Sequence, residues 1–362
     1  MKNKFPQLEI NLGHIRNNVA CIVERCRNSG MQVAGVLNAV SGMAEIAKAF
    51  DEGGITMLAS SKLEHLQSAK EVGIEKPLIL TRVPSTSEIA DVIETADISF
   101  NSDFDTILKL DEEACKQNKL HQVVLVINTT SLSEGLYDLQ EIESVAEYIE
   151  NQLVHTKLVG ISSTGRHQSG KMISPDNLKR LVEIADVIEA KLGRELEYIC
   201  TGAFNSLMQA WEGKLPDKIN LLNVGEGILL THDMAKLWEG DINMLRQDIF
   251  KLRGEIIEVK NKPTYPVGKL AVDAFGNSPT YVDRGIRRRA LLAMGKLDYG
   301  FIENLSPLDE GAEVLGASSD HTIVDVEAVT KELKPGDVMD FDVCYSIVTY
   351  LTHSKNVNII YV

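Results

Sequence analysis

At 362 residues the chain is longer than one typical domain, so two are expected, and its formal charge of −15 disfavours nucleic acid as the main partner. Five scattered cysteines with no C-x-x-C pair argue against a disulfide framework or a zinc knuckle and fit a reducing compartment. No uninterrupted run of about 18 apolar residues occurs, so a soluble, cytoplasmic protein without a membrane partner is expected.

In chain order, QLEINL at the amino end is strand-like. From residue 33 to about 230, short apolar strands alternate with segments of 3.6-residue periodicity. The strands read VAGVL (33–37), ITMLAS (55–60), PLILTRV (77–83), ISF (98–100), QVVLVIN (122–128), KLVGISS (157–163), EYICTG (197–202) and INLLNVG (219–225). Helices lie between them. In MAEIAKAFDEGG, Met43, Ile46, Ala47 and Phe50 share a face. SPDNLKRLVEIADVIEAKLG opens on a Ser-Pro-Asp start signal and closes on Gly193.

Eight consecutive βα units predict an α/β fold, a (β/α)8 TIM-type barrel over residues 12–235, rather than an open sheet. The loop after the first strand reads NAVSGM, not G-x-G-x-x-G, so a dinucleotide site is a weak reading. Beyond residue 240 the pattern becomes β-rich: FKLRGEIIEVK, GKLAVDAF, RRALLAMG, HTIVDVE, DVMDFDVCYSIVTYL and VNIIYV. These segments predict a separate β domain over 1–11 and 236–362, with QLEINL pairing into it. The basic cluster Arg284, Arg287, Arg288 and Arg289 lacks interleaved aromatics and is read as structural or as a subunit contact.

A barrel of this kind builds its active site from loops at the carboxyl ends of its strands. Those loops hold Asn38; Ser60, Ser61 and Lys62; Arg82; Asn101; the stretch from Asn128 to Ser133; Arg166 and His167; Gly202 and Ser206; and Asn223 to Gly227. The rim is rich in neutral amides and hydroxyls. Gly202, Ser206, Gly225, Gly227 and Ile228 end against helix starts, which suits an anion bound by backbone N–H groups; tight turns alone would also explain the glycines. Arg82, Arg166 and His167 are candidates for an anionic substrate, set against a helix-paired arginine and a solvated loop. Asp320, His321 and Asp325 do not have metal-ligand spacing, because alternation on a strand sends neighbours to opposite faces, and no metal site is expected. Cys200 has no sequence-adjacent histidine to suggest a nucleophile pair.

Segments GGITMLASSKLEHL, DISFNSDFDTI, LPDKINLLNVGEGILL, VDAFGNSPTYVDRGIRRRALLAMG and EVLGASSDHTIVDV carry a resemblance over nearly the full length. The chain resembles the alanine racemase class of pyridoxal-phosphate (PLP) proteins, nearest to its ornithine racemase and amino-acid racemase branch. The resemblance implies a barrel followed by a β domain, PLP as cofactor, and a dimer whose sites combine one barrel with the partner's β domain. It also implies a Schiff-base lysine after the first strand, where this chain has Asn38, and a primary amine is what that bond requires. The family's arginine after strand five matches Ser133 here, and its arginine near the pyridine nitrogen matches Asn223. Asp320 matches the aspartate sent into the partner's site, and Tyr345 is a further residue of that domain with a reach toward a partner.

Three readings follow. The first is a non-racemising small-molecule-binding or auxiliary subunit, a homodimer or a heterodimer with a related racemase. The second is an enzyme using PLP non-covalently, or through Lys62 or Lys171, on an amino acid of the ornithine or alanine type. The third is a PLP-independent barrel enzyme acting on an anion.

Overall fold

Runs of β-branched and leucine side chains, each bounded by a turn or a helix start, form eight parallel strands in the computed structural model of the protein. Residues 4–129, 134–163, 173–202, 204–233, 242–268, 271–272, 276, 278 and 280–362 are described. The strands are β2 (Gln32–Val36), β3 (Met57–Ser60), β4 (Leu78–Leu80), β5 (Ile98–Asn101), β6 (His121–Ile127), β7 (Thr156–Ser163), β8 (Tyr198–Gly202) and β9 (Leu221–Val224). They close in sequence order into a barrel, with β9 returning to pair with β2. All eight strands read from the sequence are therefore present.

Helices alternate with them: α1 (Leu12–Arg27) precedes the barrel, and α2 (Ala44–Glu52), α3 (Leu63–Glu71), α4 (Ile89–Thr95), α5 (Phe104–Lys116), α6 (Leu139–Gln152), α7 (Pro175–Leu192), α8 (Phe204–Trp211) and α9 (Glu226–Leu229) follow the strands in turn. The start signal before α7 is a capping box. Ser174 accepts from the Asn177 N–H, Pro175 fills the first turn, and Gly193 stops the helix with φ +71°.

The barrel interior is packed, not hollow. Met57, Ile79, Phe100, Val126, Cys200 and Leu221 meet there in one buried cluster. Small strand residues set the spacing. A Cβ on Gly160 would run into the Tyr198 carbonyl of the next strand, and one on Gly35 into the Phe50 ring of α2. These contacts hold strand to strand and strand to helix at backbone distance.

By contact the chain divides into two units, Gly13–Gln247 and Met1–Leu12 with Asp248–Val362. The first runs past the boundary expected near residue 235. Its end is tied by Asn18 of α1, whose amide donates to the Ile228 and Arg246 carbonyls and accepts from the Arg246 N–H at 2.7 Å.

In the second unit, β1 (Gln7–Ile10) pairs antiparallel with β10 (Phe250–Pro263) and parallel with β16 (Asn358–Tyr361). The rest of its sheet runs β12 (Ser306–Pro307), β15 (Val338–Asp342), β10, β11 (Ile286–Leu292), β14 (Thr322–Asp325) and β13 (Glu313–Ala317). Phe250, Leu252, Gly254 and Ile256 alternate onto its core face, as a half-buried strand requires.

Two details of the β reading need correction. Tyr345–Leu351, expected as strand, is a helix. Ile347, Val348 and Leu351 bury one face of it at helical spacing, and that packing overrides the β-propensity of its branched residues. GKLAVDAF lies largely outside the described residues, and Val272 within it is exposed and not in a strand.

Candidate active site

The carboxyl ends of β2 to β9 gather at one rim, and the first three are joined by side chains. Asn38 opens a short 3-10 turn after β2. Its Oδ1 accepts from the Ser60 hydroxyl at 2.9 Å and from the Ser61 N–H at 2.8 Å, both at the end of β3. Ser60 Oγ also accepts from the Lys62 N–H and lies 2.9 Å from His65 Nδ1 on α3. A Cβ on Gly42 would sit 2.5 Å from the Cβ of His65, and Gly42 takes φ +65°, so the loop after β2 lies directly against α3. Glycine is needed there both for the conformation and for the approach.

Arg82 continues the chain of contacts. Its Nε donates to the Ser61 carbonyl at 2.7 Å, its Nη1 to the Val83 carbonyl, and both terminal nitrogens to Glu88. That pairing holds the Glu88 carboxyl below the usual glutamate range and raises the guanidinium. Of the two readings of Arg82, an anion clamp and a helix-paired arginine, this geometry favours the second. Its charge is neutralised by Glu88, and most of its donors are committed. Lys62 is exposed at the start of α3, a position that faces water rather than the rim network.

Asn101, expected on the rim, is fully buried. Its Nδ2 donates to the carbonyl and hydroxyl of Ser99, and the Ser99 hydroxyl lies 2.7 Å from His121 Nε2. Burial drives His121 down to about 4, so this imidazole is neutral at physiological pH and serves as a structural hydrogen-bonding group. Ser133, Arg166, His167 and Lys171 lie outside the described residues.

At β8 a chain of hydroxyls reaches back to β7. The Ser206 hydroxyl donates to the Gly202 carbonyl at 2.8 Å and lies 3.1 Å from Thr201 Oγ1, which is 3.2 Å from Ser163 Oγ. The Ile228 N–H donates to the Gly225 carbonyl. Gly225 is pressed against β2, where a Cβ would meet the Val36 carbonyl at 2.8 Å. Gly227 and Ile228 are buried in the turn of α9. The Ser206 hydroxyl and the Ile228 N–H are thus already engaged.

Asn223 carries a buried Oδ1 with no partner among the described residues. Glu226 opens α9 directly after Gly225. Burial, reinforced by the Asp233 charge, pushes its carboxyl up to about 7, into the range of a group that exchanges protons near neutrality. The only signal in the sequence was a carboxylate inside the apolar run VGEGILL.

In the second unit, Asp320 is exposed in the tight turn between β13 and β14, where Ser318 Oγ accepts from the Asp320 and His321 N–H groups. A Cβ on Gly295 would collide with the backbone of Ser319 and Asp320, so that turn is seated directly on a neighbouring segment. Tyr345 is exposed. Cys200 is wholly buried, and burial pushes its thiol far up, which makes it inert.

PLP held as a Schiff base needs a primary amine, which the resemblance to alanine racemases places at the end of β2. Asn38 has an amide there, pinned by Ser60 and Ser61, so the described residues do not fit a cofactor bonded covalently at position 38.

A closed eight-stranded parallel barrel with a separate antiparallel β unit is the architecture of alanine racemases. The chain aligns with an alanine racemase from a D-cycloserine-producing Streptomyces lavendulae at a TM-score of 0.78 and 16% identity, covering 99% of this chain and 97% of that one. An alanine racemase from E. faecalis matches at a TM-score of 0.74, also at 16% identity, over 99% of this chain and 98% of that chain. At such identities the likeness establishes the fold. Sequence goes further. Residues 10–230 match the alanine racemase, N-terminal domain family, and the chain belongs to it. An ornithine racemase of Acetoanaerobium sticklandii is 36% identical over 94% of this chain and 95% of its own length. A lysine racemase of Thermotoga maritima is 33% identical over 94% of each.

Proposed function

We propose that this chain is an amino-acid-racemase-family protein whose ligand is a basic amino acid of the ornithine or lysine kind, and that any PLP it uses is not bonded to residue 38. The observation that carries the ligand class is the near full-length similarity to an ornithine and a lysine racemase. The same similarity weighs toward an active racemase or related enzyme, and against a purely auxiliary subunit. In that reading PLP is held without a covalent bond or by a lysine elsewhere, Lys62 or Lys171. Lys62 would have to turn in from its exposed position. The non-racemising reading, a small-molecule-binding or auxiliary subunit, draws its support from one specific feature, the pinned amide of Asn38.

Assembly is part of the proposal. A homodimer, or a heterodimer with a related racemase, would bring Asp320 to a partner's barrel. No helix among the described residues is long and apolar enough to cross a membrane, which accords with a soluble protein working in the cytoplasm.

One experiment separates the two readings. The protein is incubated with PLP, reduced with borohydride and mapped by mass spectrometry, while D- and L-ornithine and lysine are followed by chiral chromatography. An adduct on Lys62 or Lys171 with turnover of either amino acid supports the enzyme. No adduct and no turnover, with retained binding of the amino acids, supports the auxiliary role. Failure to bind either amino acid removes the basic ligand from the reading altogether.

A further inference from the structure

An asparagine amide has two ends of nearly equal shape, and its neighbours decide which is which. At residue 38 they decide it fully. The Ser61 N–H can only donate, so the amide atom 2.8 Å from it is the oxygen. The Ser60 hydroxyl sends its single proton to that same oxygen. With that proton spent, His65 Nδ1, 2.9 Å from Ser60 Oγ, is the protonated ring nitrogen and donates to it, alongside the Lys62 N–H. The amide nitrogen of Asn38 is left without a hydrogen-bond partner among the described residues, and Asn38 is only partly buried.

We propose that Asn38 is a ligand-binding residue, whose fixed Nδ2–H2 group donates a hydrogen bond to an acceptor oxygen of the ligand at the carboxyl-end rim of the barrel. The proposal rests on the reading of an amino-acid ligand given above. It assigns position 38 a definite polarity. An amide nitrogen has no available lone pair, so it neither attacks a carbonyl nor removes a proton; it only offers protons. The matching group is a carboxylate of an amino acid or an aldehyde or phosphate oxygen of PLP, both of which present acceptor oxygens. Ser60, Ser61 and His65 act through Asn38 by setting its orientation and are positioning residues.

Asn38→Asp tests this directly. The carboxylate still offers an oxygen to Ser60 and Ser61, but its other atom becomes an acceptor facing the ligand's oxygen. Wild type, Asn38→Asp and Asn38→Leu are compared by thermal melting and by calorimetric titration with L-ornithine, putrescine and PLP. Putrescine is ornithine without its carboxylate. The expected result is an Asp variant that melts near wild type yet binds L-ornithine roughly 10- to 100-fold more weakly, with putrescine binding unchanged. Weakening confined to PLP would also support the donor role and assign the oxygen to PLP. The Leu variant, which removes both ends of the amide, should lose melting temperature as well as binding. Asp-variant affinities equal to wild type for both L-ornithine and PLP would overturn the proposal while leaving the ligand reading intact. Equal weakening of ornithine and putrescine with a lowered melting temperature would overturn it too, since that marks a structural role alone. A wild type that binds none of the three probes would remove the ligand reading and this inference together.

Discussion

The rim over β2 to β4 and the rim over β8 and β9 are built from similar residues and are wired differently. Over the first three strands the bonds form one connected chain: Asn38 to Ser60 and Ser61, Ser61 to Arg82, and Arg82 to Glu88. Over the last two strands a shorter chain of hydroxyls runs from Ser206 to Gly202 and Thr201 and on to Ser163 of β7. Two groups there are left in costly states, the Asn223 Oδ1, buried without a partner among the described residues, and the Glu226 carboxyl raised to about 7. A buried polar group without a partner, or a carboxyl whose charge is disfavoured, holds free energy that a ligand or a proton can release. The first rim is therefore a scaffold that aims one amide, and the second is where protonation state changes most easily.

Arg82→Met should give the largest effect on that contrast. The pair with Glu88 is mostly shielded, with side chains 25% and 20% exposed, and removal of the cation leaves the carboxylate with only the Ser85 N–H and takes a donor from two carbonyls. A loss of about 3 kcal/mol is expected in urea unfolding at neutral pH. The sign with pH follows from Glu88, whose folded-state pKa lies below the ordinary value. Its contribution is present above the ordinary glutamate range and is lost as pH falls through the lowered value. The gap between wild type and variant should shrink on acidification, and a constant gap would show that Glu88 is not the partner that matters.

Glu226→Gln probes the other rim and should act in the opposite direction. With the pKa raised to about 7, the folded state keeps a proton that the unfolded chain has already released. That group's contribution is fully present below the unfolded-state pKa and declines as pH rises from there through about 7. Glutamine mimics the neutral form, so the variant should be more stable than wild type at pH 8 by about 2 kcal/mol and nearly equal to it at pH 4. Unfolding midpoints that shift equally at both values would show that the carboxyl titrates normally.

What could be read beforehand follows the same division. The eight strands were legible because apolar runs and helical periodicity are local signals, and Asn38 stood out because a single residue type carried the expectation. Arg82 had a visible alternative as a helix-paired residue, and Glu88 lies only six positions away. Asn101 does end β5, but its burial and its bonds to Ser99 depend on barrel packing, which no window of sequence contains. The raised carboxyl of Glu226 depends on burial and on Asp233, and the tautomer of His65 on bonds between the loop after β2 and the end of β3. Tyr345–Leu351 was misread because β-branched residues were weighed above the helical spacing of its three buried ones.

The smallest effect expected is that of Ser206→Ala, and it is the one that tests whether the two rims are independent. The hydroxyl makes one buried bond to the Gly202 carbonyl and a contact with Thr201, so its loss should cost about 1 kcal/mol. Neither partner is shared with Asn38, Arg82 or Glu88. Combined with Arg82→Met, the two losses should add to within about 0.5 kcal/mol in a double-mutant cycle. A coupling well above that would mean that strain passes around the barrel from one rim to the other. The hydroxyl chain at β7 and β8 would then be only the visible part of a network closed through the packed strands.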